Sequence, residues 1–334
     1  MHLPRNLSKK ILAWYDNNKR KLPWRVGKKS SKKLYYRLLS EFMLQQTQVK
    51  TVLPYFKKFL IHFPTLESLS KSNEKKILKL WEGLGYYRRA RNLLLTAKIL
   101  VNEYNSKLPN KIFDIKKLPG VGDYTANALL AFVYNQPTIA IDGNVKRVFS
   151  RILNKNQVLI DLNKVIENNK KSLFETKRNS DLVEALMEFG ALICKPKDPE
   201  CFKCNIRNIC KYFKSDKKFK QFKKIQPLEK SYDIFCYINK TKNKIALTKN
   251  HNLGFLDKFY LPPIKEKNIK NKIQNWNFHS NFKKSISNKK LNIDLYYKYS
   301  SKLPLPLRWF SLKDNNEFIP SFTKKIFKQF SKIK

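Results

Sequence analysis

Four of the chain's five cysteines lie between positions 194 and 210, and this spacing limits what the local backbone can fold into. They follow the pattern C-x6-C-x2-C-x5-C, at Cys194, Cys201, Cys204 and Cys210. Four thiolates this close together can enclose one [4Fe–4S] cluster or one zinc ion. Zinc ribbons usually carry two CxxC pairs and this segment has one, so the spacing favours the cluster. Two alternatives stay open: a zinc site, and four thiols that bind no common metal.

The chain is strongly basic, with 70 Lys and Arg against 25 Asp and Glu, a formal net charge of +45. A field of this size repels itself unless a polyanion is bound, so DNA or RNA is the first candidate partner. An anionic membrane surface is the second. Most of the excess is lysine, and a lysine-rich proteome would account for much of its magnitude. No apolar run approaches the roughly 18 residues of a membrane span, and the first residues carry no signal-peptide pattern. We therefore expect a cytoplasmic protein that does not span a membrane.

Two domains with different secondary structure are expected. Over residues 1–213, apolar side chains recur at three- and four-residue spacing, which predicts helices. Residues 214–230 are rich in lysine and predict a basic linker. Residues 231–334 alternate between apolar and polar side chains in short stretches, which predicts a mixed α/β domain. Its expected elements are a hairpin of Asp233–Ile238 with Lys244–Thr248, a strand over Leu291–Tyr297 and a helix over 322–330.

Two short motifs in the helical part invite both a structural and a functional interpretation. In Leu-Pro-Gly-Val-Gly (118–122), Gly120 and Gly122 permit a tight turn that exposes backbone amides at the start of the next helix. Such amides suit a phosphate, although a G-x-G by itself is usually just a turn. Asp142, in IDGNVKRV (141–148), is by itself a plain N-cap for the helix that follows.

A carboxyl group also falls on an apolar helix face. On a helix, Leu34, Leu38, Glu41 and Gln45 lie along one stripe, so Glu41 has apolar neighbours. A carboxyl in such a place either pairs with a cation or stays protonated near neutral pH. Taken alone, the pattern favours the structural ion pair.

Together these segments resemble one family, the adenine-specific mismatch DNA glycosylases (the MutY type) of the helix-hairpin-helix superfamily. The resemblance is dense in LPWR (22–25), SEFMLQQTQV (40–49), WEGLGYYRRARNL (81–93), LPGVGDYTANAL (118–129), IDGNVKRV (141–148) and the four cysteines. It implies an all-α glycosylase domain over 1–213 with one [4Fe–4S] cluster in the loop 194–210. A smaller, Nudix-like α/β domain that recognises 8-oxoguanine would follow over 231–334.

The resemblance also implies an activity. Members of this family are base-excision repair enzymes that hydrolyse the N-glycosidic bond of adenine paired with 8-oxoguanine or guanine. The expected partner is double-stranded DNA that contains such a mispair. We expect the enzyme to act as a monomer and, in a bacterium, to associate with the nucleoid.

Four residues match the family's catalytic positions. Glu41 matches the general acid that protonates adenine N7, and Asp142 matches the carboxylate that stabilises the sugar cation. Tyr124 and Asn144 match polar residues that position the intermediate. Bifunctional relatives carry a lysine where Tyr124 stands, so Tyr124 implies a monofunctional enzyme with water as the nucleophile.

Other matches concern DNA recognition. Arg25 and Glu184 match residues that contact the flipped adenine, and Gln46 and Tyr86 match residues that fill the base stack around 8-oxoguanine. In Ile286-Ser287-Asn288, only Ser287 is kept from the family's 8-oxoguanine recognition loop.

The chain departs from the family in three places. About four extra residues fall within 26–33, and Asp123 stands where a basic residue is expected. The C-terminal domain lacks the G-x5-E-x7-R-E-x-x-E-E spacing, so recognition without phosphohydrolase activity is expected.

Two rival functions stay open. One is a bifunctional, endonuclease-III-like glycosylase and AP lyase, which Tyr124 and the additional C-terminal domain disfavour. The other is a lesion-binding Fe–S protein without catalysis, which the presence of both Glu41 and Asp142 disfavours.

Overall fold

The computed structural model describes residues 1–27, 30–156, 159–216, 228–251, 253–267, 273–286, 289–313 and 317–330. The chain divides into two compact units. The helical unit comprises Met1–Ser72 and Arg89–Lys223, and the sheet unit comprises Asn73–Arg88 and Lys224–Lys334. Across these described ranges, none of the helices has both the length and the apolar character needed to cross a bilayer.

The helices predicted for the N-terminal part are present. In chain order they are α1 (Leu7–Asn18), α2 (Lys33–Leu44), α3 (Val49–His62), α4 (Leu66–Ser70), α5 (Glu74–Trp81), α6 (Arg88–Tyr104), α7 (Ile112–Lys116), α8 (Asp123–Tyr134), α9 (Gly143–Leu153), α10 (Leu162–Asn168), α11 (Lys170–Leu173), α12 (Asn179–Leu192) and α13 (Lys211–Lys214). Short 3-10 turns at Cys201–Lys203 and Arg207–Ile209 lie between α12 and α13.

Helix α12 lies at the centre of the helical unit, in contact with α1, α8 and α9. Its apolar residues are buried nearly all the way round, as expected of a helix with neighbours on several sides. Leu182, Leu186 and Phe189 join Ile11 and Phe149 in one apolar core. The same helix also buries two carboxylates.

The sheet unit contains a mixed sheet in the order β3-β2-β1-β6-β5, with β4 pairing with β1 and β7 with β2. The long strand β1 runs parallel to β6, and the other pairs are antiparallel. The predicted hairpin, strand and final helix are confirmed as β1–β2, β6 and α14. The strands are β1 (Leu228–Asn239), β2 (Lys244–Lys249), β3 (Tyr260–Leu261), β4 (Ile264–Glu266), β5 (Asn277–Ile286), β6 (Lys289–Tyr299) and β7 (Arg308–Ser311), followed by α14 (Ser321–Phe330).

The division of the chain differs from the sequence-based boundaries in two ways. Strand β1 begins at Leu228, inside the predicted linker 214–230, of which residues 217–227 lie outside the described part. The segment Asn73–Arg88 belongs with the sheet unit. The Tyr87 ring lies 5.2 Å from the ring of Phe259 and 5.2 Å from that of Phe318, which explains the assignment.

Candidate active site

The buried carboxyl of Glu41 lies on α2, as the apolar stripe predicts. The residue is 5% exposed, and its Oε2 has no hydrogen-bond partner among the described residues. No described cation forms an ion pair with it, so the expectation of a structural ion pair was wrong. Of the two sequence-based interpretations, the protonated carboxyl is the one that this burial favours.

The surroundings of Glu41 set its proton affinity. Burial raises the pKa of Glu41 to about 7, and the charges of Glu184 and Asp142 add to that rise. The charge of Arg37 and the nearby Tyr124 hydroxyl act in the opposite direction. A carboxyl with this pKa carries a proton at neutral pH in a large share of molecules and can release it there. These are the properties of a general acid.

Asp142 is held firmly at the start of α9. One carboxylate oxygen accepts the Val145 N–H at 2.7 Å, and the other accepts the Asn144 amide at 2.8 Å. The predicted N-cap is therefore confirmed. The cap also fixes the direction of the carboxylate, and the helix dipole favours negative charge at this end. The structural and catalytic interpretations of Asp142 are compatible.

Asn144 connects Asp142 to a second layer of contacts that the sequence pattern missed. Arg147 donates to the side-chain amide oxygen of Asn144 at 2.7 Å, to the Gly190 backbone carbonyl at 2.8 Å and to the Cys194 backbone carbonyl at 2.7 Å. At Gly190 a Cβ would lie 2.6 Å from the Asn144 Cβ, so glycine is required for α12 to approach this closely. The backbone of the first cysteine is thus tied to the residue that orients Asp142.

Arg25 and Glu184, predicted to contact adenine together, form an ion pair with Nε–Oε2 at 2.6 Å. The Tyr15 hydroxyl also donates to Glu184. A second carboxylate, Glu188, lies one helical turn further along α12 and accepts from Arg20 at 2.6 Å and from Arg25 at 3.1 Å. Burial alone would raise the pKa of Glu188, but these two guanidinium groups more than offset it, and the net shift is downward.

Sequence reasoning missed Tyr15, Arg20 and Glu188. A signal was present, because Glu184 and Glu188 are spaced i, i+4 in the apolar stretch that follows the first three residues of the helix. Two carboxylates buried on one helix face require cations nearby. The pattern therefore predicts arginines at the site, but it does not say which ones.

The two hairpin glycines have different roles. Gly120 has φ +79°, and a Cβ there would lie 2.7 Å from the Asn92 amide nitrogen, so this position requires glycine. Gly122 has open space around it and is the N-cap of α8, with no side-chain cap. The first amides of α8 are thus left for an anion to bind. Asp123 does not oppose this, because Lys116 forms an ion pair with it at 2.6 Å.

The two predicted stack-filling residues share an unusual backbone. Gln46, just after α2, has φ +56°, and Tyr86 has φ +49°. Both side chains are exposed. Non-glycine residues in this left-handed region are uncommon and concentrate at functional sites. Ser287 and Asn288 lie outside the described residues.

The four clustered cysteines line one apolar cavity, together with Val148, Ile152, Phe189 and Ile206 among others. Arg151 donates to the Cys194 sulfur at 3.4 Å. Burial raises the pKa of Cys204 to about 11 and also raises that of Cys210. Among the described side chains, no three His, Cys, Asp or Glu residues converge as ligands of a single metal ion. Cys236, by contrast, is fully buried in β1, as predicted.

Known proteins resemble this chain in sequence. Residues 39–173 match the HhH-GPD superfamily of base excision DNA repair proteins. The adenine DNA glycosylase of Buchnera aphidicola subsp. Baizongia pistaciae is 39% identical over 299 residues, which cover 85% of this chain and 83% of that protein. This chain belongs to the adenine DNA glycosylase family. The family's enzyme from Buchnera aphidicola subsp. Schizaphis graminum is 37% identical over 310 residues and matches over 81% of its length.

Solved structures agree with the helical fold of this adenine DNA glycosylase family member. A thermostable thymine-DNA glycosylase superposes with a TM-score of 0.55 and 27% identity, covering 62% of this chain and 94% of that one. Endonuclease III in a trapped covalent DNA complex gives a TM-score of 0.50 at 21% identity and covers 62% of this chain. The helix-hairpin-helix glycosylase fold predicted from the sequence is confirmed.

Proposed function

We propose that this chain excises adenine paired with 8-oxoguanine or guanine in duplex DNA, by hydrolysis and without lyase activity. Adenine DNA glycosylase activity, the hydrolysis of an N-glycosyl bond in DNA repair, follows from membership of the family. The observation that carries the proposed chemistry is the pair of carboxyls in different environments. Glu41 is buried with a raised pKa, and Asp142 is held by two donated hydrogen bonds.

The two carboxyls suit opposite tasks in breaking the C1′–N9 bond. Glu41 donates its proton to N7 of the flipped adenine, so that the base leaves without a negative charge. The sugar becomes an oxocarbenium-like cation, and Asp142 stabilises it. Water then adds its oxygen to C1′, and the released proton can return to Glu41. An abasic site and free adenine are the products.

Arg25 and Glu184 are proposed to hold the flipped adenine. Their ion pair is braced by Glu188 and Tyr15, so the two side chains keep one geometry before DNA arrives. Pre-organised polar groups recognise a base edge at a lower entropic cost than mobile ones. The exposed, uncapped start of α8 is proposed to bind a backbone phosphate near the lesion.

Tyr124 supports the monofunctional assignment. It lies beside Glu41 in the site, at the family position where bifunctional relatives have lysine. A phenol hydroxyl, with its pKa raised by burial and by the charges of Glu41 and Asp142, is a poor nucleophile near neutral pH. We expect little borohydride trapping of the wild type on an adenine substrate, and clear trapping and strand nicking by Tyr124→Lys.

The cysteine cavity fits a [4Fe–4S] cluster, held by Cys194, Cys201, Cys204 and Cys210. Four thiols that surround an apolar cavity suit a cluster of several metals better than one ion. Buried thiols with raised pKa values ionise near neutral pH only if bound metal displaces the proton. When bound, such a cluster would hold the loop 194–210 folded.

The cluster has its own test. Protein purified without oxygen should be brown and contain about four irons per chain. Cys201→Ser should lose iron and DNA affinity together, and Cys236→Ser, a matched change in the sheet unit, should lose neither. Stoichiometric zinc in place of iron would contradict the assignment.

The activity is tested with duplexes that contain A·8-oxoG, A·G or thymine glycol, followed by alkali cleavage. Cleavage of the first two at adenine, and only after alkali, is the expected result. Release from thymine glycol with direct nicking would favour the bifunctional rival, and tight binding without release would favour a lesion-binding protein. The C-terminal unit is proposed to be a Nudix-like domain that reads 8-oxoguanine through Ser287.

A further inference from the structure

Arg37 is a buried cation that the proposed chemistry does not yet use. It lies on α2, one helical turn before Glu41, and its side chain is 7% exposed. The adjacent apolar residues of the helix, Leu38 and Phe42, are fully buried. Burying a guanidinium is costly unless a partner compensates for the lost hydration. An apolar residue would pack the helix at less cost, so the charge requires an explanation.

The contacts of Arg37 fix its guanidinium in one place. An Nη atom forms an ion pair with the Glu184 carboxylate, and the group lies 4.6 Å from the centroid of the Phe132 ring. Its Nε has no hydrogen-bond acceptor among the described residues. The guanidinium is therefore fixed in place while one of its N–H donors has no acceptor. An unpaired buried donor lowers stability, so stability alone does not explain this residue.

Four groups from four parts of the fold act on Glu41. They are Arg37 on α2 itself, Tyr124 on α8, Glu184 on α12 and Asp142 at the start of α9. Of these four, two are anions and one is a neutral hydroxyl. Arg37 is the single cation among them, and Glu184 links it to the pocket of Arg25.

We propose that Arg37 is a positioning residue that fixes the Glu184 carboxylate and sets how readily Glu41 releases its proton. This inference rests on the proposed role of Glu41 as the general acid. Burial and two nearby anions all hold the proton on Glu41. Without a nearby cation the carboxyl would stay protonated but would be a weaker acid, and proton transfer to adenine would slow.

The direct test is a titration of Glu41 in the full-length protein by NMR of 13C-labelled glutamate, with Glu41→Gln used to assign its signal. In Arg37→Leu the midpoint of Glu41 should rise by on the order of one pH unit. In Arg37→Lys it should stay near the wild-type value. Glu184→Gln should move the midpoint downward, because it removes an anion and leaves Arg37 unopposed. Arg20→Leu is the matched control, since Arg20 pairs with Glu188 and not with Glu184, and it should not move the midpoint.

Single-turnover excision between pH 5.5 and 9.5 provides the second readout. Arg37→Leu should shift the alkaline limb of the rate to higher pH by the same amount and lower the plateau several-fold. If the midpoint of Glu41 does not move in Arg37→Leu, or in Arg37→Gln should the leucine variant fail to fold, the inference is wrong and Arg37 is structural. If the midpoint moves but the rate profile does not follow, the role of Glu41 fails and the inference about Arg37 stands.

Discussion

The two units differ in how many acidic and basic side chains they bury. Among the described residues of the helical unit, seven acidic or basic side chains are buried, namely Arg37, Glu41, Arg89, Arg147, Arg151, Glu184 and Glu188. In the sheet unit, Asp233 is the one buried charged side chain among the residues that the structure describes. Its core is otherwise apolar, built from residues such as Ile234, Ile245, Leu295 and Phe322.

This difference agrees with the proposed division between chemistry in the helical unit and recognition in the sheet unit. Buried charges are costly, and some serve structure, as Arg89 and Arg151 do by donating to backbone carbonyls. Others can supply the fixed charges that a reaction needs away from water. Reading a base edge needs only a few surface groups on a stable scaffold. We therefore expect substitutions in the helical unit to change rates, and substitutions in the sheet unit to change preference.

The largest effect should come from the two carboxyls. Glu41→Gln and Asp142→Asn should each lower single-turnover excision by about 10²–10⁴-fold, because each removes a group that acts in the transition state. Binding of an A·8-oxoG duplex, measured by anisotropy, should stay nearly intact. Wild-type turnover by either variant would show that the acid or the stabilising charge lies elsewhere.

The buried acid should also affect stability in a pH-dependent way. The pKa of Glu41 is about 7 in the fold, against an ordinary value of 4.5. The protonated carboxyl therefore contributes its full stabilisation below pH 4.5, and this stabilisation is lost as the pH rises through 7. The free energy of unfolding of Glu41→Gln, relative to wild type, should therefore rise by roughly 2–3 kcal/mol between pH 5 and 8.5.

Urea denaturation at matched pH values measures this change, and Glu188→Gln is its control. The pKa of Glu188 is lowered in the fold, so its stabilisation is lost only at more acidic pH. The deficit of Glu188→Gln should be constant over pH 5–8.5. If the free energy of unfolding of both variants changed equally with pH, the protonation of Glu41 would not be the cause.

A smaller effect is expected from the sheet unit. Ser287→Ala should reduce the preference for A·8-oxoG over A·G by about tenfold, because one hydroxyl that reads a base edge contributes roughly 1–3 kcal/mol. The excision rate on A·G should not change. Ser285→Ala, two residues away on β5, is the matched control. Equal losses on both duplexes would indicate general DNA contact instead of lesion reading.

The smallest effect should come from a surface ion pair of the sheet unit. Lys324 contacts Glu82 at 2.7 Å, but the two side chains are 47% and 27% exposed. Lys324→Gln should therefore lower the free energy of unfolding by less than about 1 kcal/mol. A loss above about 2 kcal/mol in thermal denaturation would show that the segment Asn73–Arg88 depends on this contact.

Local patterns predicted much of the architecture. Apolar spacing indicated the helices, alternation indicated β1, β2 and β6, and the apolar stripe of α2 placed Glu41 inside. Strand β5 was missed because Asn277–Ile286 is largely polar and exposed, with a burial pattern that lacks clean alternation. The membership of Asn73–Arg88 was missed because it depends on rings far away in sequence.

The site could be predicted only in part for the same reason. The motif resemblance indicated Glu41, Asp142 and Arg25, but not that Arg147 links Asn144 to the Cys194 backbone. The expected ion pair of Glu41 was wrong because Arg37, one turn away, pairs with Glu184 on another helix. Which carboxylate a buried cation pairs with is decided by tertiary packing, and the spacing along one helix does not contain that information.

The discontinuity of the sheet unit has a consequence for how the protein is made. The segment Asn73–Arg88 leaves the ribosome long before Phe259, Phe318 and Lys324 exist. The helices from α6 to α12 are complete by then and can pack around α12. The pairing of β1 with β6 must also wait, because the two strands are parallel and far apart in the chain. Synthesis therefore delivers the reactive helical unit first, and the final residues close the sheet unit around a segment made much earlier.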